Sequence, residues 1–402
     1  MIPFRNFGTF WAAPYRPLFF AAFLWAILSI AWWPLGVRFG LPAPELAPAV
    51  AWHVHELIFG FGAAAIGGYL LTALPAWTAR PSLCGAGLKA LVLIWFLARI
   101  VTAKAMTLPF AVPLALNAAY FLGLAWFICH QAVTSGAYRK LGFGVAVLAL
   151  GVGEALFLSE AAGGRTWYAP DIIQAVLAGL VLMLASTGAR IIPAFTRNWL
   201  AQTGYAGPPV AERARLRNTA SGLLALVFAL KLANYADAAH AALIAAAMAL
   251  LCTMQGWRTK AVLSNPLLVA LHLAYLWLPV GALILGATGL GFVRYPMADA
   301  LHSITIGAMS GLILAIAGRA ACRSENGIMR AGTGFMAGTL AVWITTCLRL
   351  AGPLIPAYSD GILTAAALLW CAGWLVFTAA FLPALSGPVR RPVLSGRKAK
   401  FQ

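Results

Sequence analysis

An all-α bundle of about twelve membrane-spanning helices is the fold this sequence predicts. Three observations predict it. The chain is 62% hydrophobic and only 9% charged, against about 25% charged residues in a soluble domain. Apolar runs of spanning length, about 20 residues, recur from end to end, broken by Gly, Pro and basic residues. Lys and Arg also gather in alternate connections, as they do where spans must be oriented.

The first span, near 17–34, is the apolar run from Leu18 to Trp33, which stops at Pro34-Leu35-Gly36-Val37-Arg38. No small-residue cleavage site follows, so the run is expected to stay as a span. The second, 50–74, lies just past Pro48 and opens on Trp52-His53-Val54-His55-Glu56. The third, 86–103, carries Arg99; the fourth, 109–132, His130; the fifth, 140–160, Glu154. Asp171 begins the sixth, 170–192. Only Asn234-Tyr235-Ala236-Asp237 part the seventh and eighth, 216–234 and 237–257, which admit other boundaries. Asn265-Pro266 is a good start for the ninth, 266–289. The tenth, 299–319, follows Pro296; the eleventh, 332–352, carries Arg349; the twelfth, 361–383, begins at Asp360. These spans use up the 402 residues. The expectation is a single integral-membrane domain, 1–402, with a basic cytoplasmic tail over 386–402.

With an even number of spans both termini share one side. That side holds about three in four of the Lys and Arg residues, and by the positive-inside rule it is cytoplasmic. The net charge of +18 thus orients the spans and does not imply nucleic acid. Acids lean outward. Asp171, Asp237, Asp299 and Asp360 are expected to cap inward-running helices, but Glu56 and Glu154 lie within spans, where capping does not explain them. The six cysteines form neither a C-x-x-C nor a C-x-x-C-H pattern, so any haem is expected to be held noncovalently.

A charged group at membrane depth costs about 2.5 kcal/mol or more, so buried polar groups mark function. His53 and His55 open the second span and His302 the tenth. At 1.5 Å per residue all three lie roughly 7–10 Å below the outer surface. Imidazole is a common ligand of haem iron and copper, and two at one level on different helices suit an axial pair: His302 with His53 or His55. The latter two point about 200° apart on a helix. His53 shares its face with Glu56 and Gly60, where a flat porphyrin or a neighbouring helix fits; His55 shares its face with Phe59 and Gly62. Satisfied helix–helix contacts are the competing reading. His272 falls in the inner half, as part of a separate metal site or a proton path. His240 and His130 sit near span ends and are read as snorkelling to water. Arg99 and Arg349, at the level of the outer histidines, suit haem propionates, or anchor topology. Glu56 and Glu154 are candidate proton-relay carboxylates; alternatively, Glu56 orients His53.

Four segments are similar to the NnrS family, membrane proteins of the nitric-oxide response described as containing haem and copper. They are Pro14-Tyr15-Arg16-Pro17-Leu18-Phe19-Phe20; Trp52-His53-Val54-His55-Glu56-Leu57-Ile58-Phe59-Gly60-Phe61, continuing through Leu70 to Arg80; Ala189-Arg190-Ile191-Ile192-Pro193-Ala194-Phe195-Thr196-Arg197-Asn198; and Leu301-His302-Ser303-Ile304-Thr305-Ile306-Gly307-Ala308-Met309 with Arg319. They follow family order over nearly the whole chain. Ala76 and Ala79 depart from the Asn and Gly expected there, which bears on a loop rather than on a metal. The resemblance implies nitric-oxide metabolism in the bacterial cytoplasmic (inner) membrane, with haem b and a possible copper or second metal. It also brings Trp52, Gly60, Tyr15 and Arg16, within the matched segments, into the set of candidate cofactor contacts.

Placement of histidines on the second and tenth of twelve spans also resembles the haem-copper oxidases, although spans six and seven here lack the histidines of a copper site of that type. Fold analogy alone does not establish chemistry. Three functions compete. One is reduction of nitric oxide to nitrous oxide, fed by a quinol or redox carrier. Another is nitric-oxide binding or tolerance without turnover. The third is transport of a metal or small anion. Membrane lipid is the expected surrounding partner in all three.

Overall fold

The computed structural model describes residues 7–46, 48–105, 107–163, 169–322, 329–389 and 393–394, and among these it is helical, with no strand. The long helices in chain order are α1 Tyr15–Gly36, α2 Ala49–Thr78, α3 Gly85–Ala103, α4 Ala111–Thr134, α5 Tyr138–Ala162, α6 Asp171–Gln202, α7 Ala214–Leu232, α8 Ala236–Trp257, α9 Pro266–Gly289, α10 Met297–Ala321, α11 Thr333–Leu354 and α12 Pro356–Leu385. Eleven of them are long and apolar enough to cross a membrane. The other is α7, a 19-residue helix at the place of the expected seventh span; Arg215, Arg217 and Lys231 reduce its apolar character. The chain is therefore a polytopic all-α membrane protein.

Local chemistry accounts for the boundaries. Asn265 caps α9 by accepting from Leu268 N–H at 3.2 Å, with Pro266 in the first turn, where its missing N–H costs nothing. The α7–α8 turn closes on Asn234 at φ 62, and α2 ends at Ala79 with φ 54, the left-handed conformation that commonly stops helices. Capping explains less than expected of the aspartates. Asp171, Asp237, Asp299 and Asp360 lie inside the first helical turn. They favour the helix there through the positive end of its dipole. For α8 and α10 the position before the helix is taken by Tyr235 and Pro296.

Two compact units divide the chain. Their described residues lie within 7–174 with 374–394, and within 175–373, so both boundaries fall inside helices, α6 and α12. The core of the first unit is aromatic. Phe23 meets Trp374, Phe377 and Phe381 at centroid distances of 5.4, 5.3 and 5.1 Å, and Phe61 meets Trp374 at 5.2 Å. Lipid offers no hydrophobic drive between helices, so such interlocking supplies the cohesion, about 0.5–1.5 kcal/mol per aromatic pair beyond area. The second unit is built around α9, whose Leu268, Leu271, Tyr275 and Leu278 pack with Ala246, Ala247 and Leu250 of α8. Within the expected tail, 390–392 and 395–402 lie outside the described residues. So do Arg5, Arg165, Arg323 and Glu325, which enter the charge count.

Candidate functional site

The helices carrying His55 and His302 share a local plan. In α2, Pro48 precedes a short α-helix, Ala49–His55, which gives way to a wide π turn, Glu56–Gly62, before α-helix resumes at Ala63. In α10, Pro296 precedes Met297–His302, the wide turn is Ser303–Ser310, and α-helix resumes at Gly311. Each α segment thus ends on a histidine, His55 or His302, with a glycine five positions later, Gly60 or Gly307. The following helix then brings an arginine, Arg99 on α3 or Arg349 on α11. Wide turns of this kind recur at functional sites because they re-aim side chains out of the 3.6-residue period.

In the first unit that re-aiming assembles a buried charged cluster. His55, Glu56, Arg99 and Glu154 are each at most 1% exposed. Nδ1 of His55 is 2.9 Å from Glu56 Oε1, and Nε2 is 3.1 Å from Glu154 Oε1. The other Glu56 oxygen accepts from Trp25 Nε1 at 2.6 Å and from Arg99 Nη1 at 3.0 Å. Arg99 Nη2 donates to Asn117 Oδ1 and lies 3.6 Å from Glu154 Oε1. Asn117 passes the network on, donating to Thr102 Oγ1 at 2.9 Å and to the Pro113 carbonyl at 2.8 Å. Phe59 and Phe157 close over the His55 ring at 5.4 and 6.0 Å. A Cβ at Gly60 would sit 2.7 Å from Trp25 Nε1 and 2.8 Å from Glu56 Oε2, so the glycine makes room for that hydrogen bond.

The partner of Glu56 is a correction. A regular helix puts Glu56 on the face of His53, whereas its carboxylate bends to the adjacent His55 ring, 2.9 Å from Nδ1. His53 instead lies against the Trp33 ring at 4.9 Å. Trp52 is fully buried beside Trp32 at 5.1 Å, and among the described residues its indole N–H has no acceptor.

In the second unit His302 is half-buried. Its Nδ1 donates to the Ala298 carbonyl at 2.8 Å, which leaves Nε2 as the nitrogen that can ligate. One turn earlier Asp299 pairs with Arg349, and Tyr295 donates to the Leu350 carbonyl at 2.7 Å. His272 is otherwise committed, with Nε2 3.0 Å from Thr196 Oγ1 and Nδ1 2.9 Å from Thr259 Oγ1. Each histidine therefore has a distinct setting: both ring nitrogens of His272 meet threonine hydroxyls, while His55 Nδ1 is hydrogen-bonded to Glu56 and its Nε2 lies 3.1 Å from Glu154 Oε1 without hydrogen-bond geometry. Among the described residues no three His, Cys, Asp or Glu side chains converge as a ligand set.

The remaining candidates also have visible tasks. The Arg16 guanidinium is held by main-chain carbonyls, those of Thr9, Ser386, Gly387 (2.8 Å) and Pro388, while its Nε donates to the Tyr15 hydroxyl at 3.2 Å. Arg99 and Arg349, expected to face propionates, each face protein carboxylates. Trp25, Asn117 and Thr102 complete the first cluster, and sequence reasoning passed over them. Asn117, a lone amide inside an apolar run, was the available signal.

The fold and this cluster define a class: a multi-pass helical membrane protein with ionisable groups enclosed inside a span bundle. Residues 9–388, nearly the whole chain, match the family described as NnrS protein. The chain belongs to the NnrS family. Membership points to a protein of the nitric-oxide response. No curated protein matches this sequence.

Proposed function

We propose that this is a haem-containing protein of the bacterial inner membrane that reduces nitric oxide to nitrous oxide, with its metal held at His302 in the outer half of the membrane. The observation that carries the reading is the His302 imidazole. Metal-ligating histidines give their second nitrogen to a carbonyl or carboxylate, which fixes ring and tautomer, and His302 gives Nδ1 to Ala298. A haem b bound there would supply redox-active iron for nitric-oxide chemistry, and a metal held through a single imidazole keeps a position for the ligand.

Of the two α2 histidines His53 is the one suited to a second metal such as copper, because both nitrogens of His55 face carboxylates. Arg349, partly exposed and paired with Asp299, is the guanidinium suited to a propionate; Arg99 is fully enclosed by its own partners. Reduction consumes protons, and Glu56 and Glu154, joined through His55, are buried carboxylates able to carry them. Electrons come from a quinol or a reduced carrier. Nitric oxide is small and membrane-soluble, so it reaches the site through lipid.

The test is nitrous-oxide formation by the purified protein, reconstituted in liposomes and given a reductant and nitric oxide. Nitrous oxide in step with reductant consumed is the expected result. Haem that binds nitric oxide without forming nitrous oxide would replace this reading by that of a binding protein. A haem-free preparation that moves a metal ion or small anion across the vesicle would make it a transporter.

A further inference from the structure

His272 lies on α9 in the half of the membrane that the basic residues mark as cytoplasmic, and it is 1% exposed. Thr259 belongs to the short turn Thr259–Val262 ahead of α9, outside the spans, and is half-buried. Thr196, on α6, is fully buried. Hydroxyl, imidazole and hydroxyl thus run from a half-buried to a fully buried position, with contacts of 2.9 and 3.0 Å. A neutral imidazole carries one N–H and one bare nitrogen. One threonine therefore donates to the ring while the ring donates to the other, which is the polarity of a proton-conducting chain.

Two orphaned donors extend this line inside the same unit. Trp257 meets His272 edge-on at 5.7 Å and is fully buried, and its indole N–H has no acceptor among the described residues. Trp277, about 7.5 Å further along α9, has the same unanswered indole N–H. Its ring covers Gly307, where a Cβ would lie 2.5 Å from it, in the wide turn that follows His302. Buried donors left unpaired are destabilising, and proteins answer such groups with internal water.

We propose that Thr259, His272 and Thr196 are the mouth of a hydrated proton-entry chain, leading from the cytoplasmic side along α9 toward the wide turn of α10. This rests on the nitric-oxide-reduction reading for the consumer of the protons. Two nitric oxide molecules, two electrons from a quinol or reduced carrier and two protons give one nitrous oxide and one water. In each passage Nδ1 takes a proton from the Thr259 hydroxyl, which recovers one from bulk water. Nε2 releases its proton to Thr196, which passes one inward to water; the ring is then protonated at Nδ1, and rotation of the ring and of the two hydroxyls restores the first tautomer with no net charge left behind.

Two measurements on the full-length protein test it. Radiolytic hydroxyl-radical labelling reads hydration without turnover: Trp257 is expected to be oxidised several-fold faster than Trp95, which is also buried but whose indole N–H is bonded to the Gly60 carbonyl at 3.0 Å. Equal protection of the two overturns the proposal. During turnover in vesicles with the cytoplasmic face inward, an enclosed pH dye should report lumenal alkalinisation. Thr259→Val and His272→Gln should each slow it on the order of tenfold, with haem content and melting temperature unchanged. Proton uptake from the outer side alone, or Thr259→Val turning over at the full rate, also overturns it. Rapid labelling of Trp257 in a protein that makes no nitrous oxide would sink the reduction reading while leaving a hydrated chain in place.

Discussion

The His55 and His302 regions follow one local plan and arrive at opposite environments. Both have a proline, a short helix ending on histidine, a wide turn, a glycine five positions on, and an arginine from the next helix paired to an acid. They differ in where the acid stands. Glu56 follows His55 directly, and with Glu154 it puts a carboxylate oxygen within 3.1 Å of each imidazole nitrogen. Asp299 stands three positions before His302 and takes up Arg349, so the His302 ring binds only backbone at Nδ1. Moving the carboxylate by a turn turns an enclosed, charge-paired histidine into one with a nitrogen to spare. The comparison teaches that position of the acid, rather than presence of a histidine at membrane depth, decides which imidazole is available for ligation.

The sharpest way to break this contrast is to remove the arginines. Arg99→Ala leaves Glu56 and Glu154 buried without their cation, and a loss of about 3–5 kcal/mol is expected, read as lost folded protein or a collapsed melting temperature in detergent. Arg349→Ala opens a pair with side chains 22% and 17% exposed and should cost no more than about 1 kcal/mol. Equal losses would mean that the two pairs are equivalent. Next in size is ligation. His302→Ala should abolish the haem Soret band while the protein stays folded, whereas His55→Ala should keep haem and lower the melting temperature. The reverse pattern would transfer the ligand role to His55.

Gly60→Ala comes third, at about 1–3 kcal/mol, because the added methyl strikes the Trp25–Glu56 hydrogen bond; reduced thermal stability with unchanged haem content is the expected readout. Smallest is an acid effect on the loop between α1 and α2. Lys104, hydrogen-bonded to Glu45 at 2.9 Å, and then Thr107 hold the Glu45 carboxyl below the ordinary glutamate range. Its folded value is depressed, so its contribution is complete at neutral pH and fades as pH falls through that lowered value. Glu45→Gln should lower the melting temperature slightly at pH 7 and make no difference well below pH 4. A difference that persists in acid would assign the effect to packing.

Much of this was legible beforehand because lipid makes composition speak. Apolar runs and their breaks located α1 to α12, and Asn265-Pro266 marked the start of α9 from chemistry alone. That His53, His55, Glu56, Arg99 and Glu154 are worth attention followed from the cost of their burial. Which of them meet did not follow. Helical periodicity assigns faces by Cβ direction, and the Glu56 side chain reaches from its own face to the neighbouring His55 ring. Asn117 and Trp25 join through three-dimensional packing, with no pattern along the chain. The hydroxyl partners of His272 are 76 and 13 residues away, and threonine in an apolar helix carries little signal of its own.

The Arg16 anchor bears on biosynthesis. Its guanidinium, at the start of α1, waits for carbonyls at Ser386, Gly387 and Pro388, 370 to 372 residues further along the chain. The first unit is likewise discontinuous, closing its aromatic core with Trp374, Phe377 and Phe381, while the described residues of the second unit all lie within 175–373. The unit that α1 opens is therefore closed only after residues 175–373 have been made, and a ribosome stalled before codon 374 leaves its aromatic core unfinished.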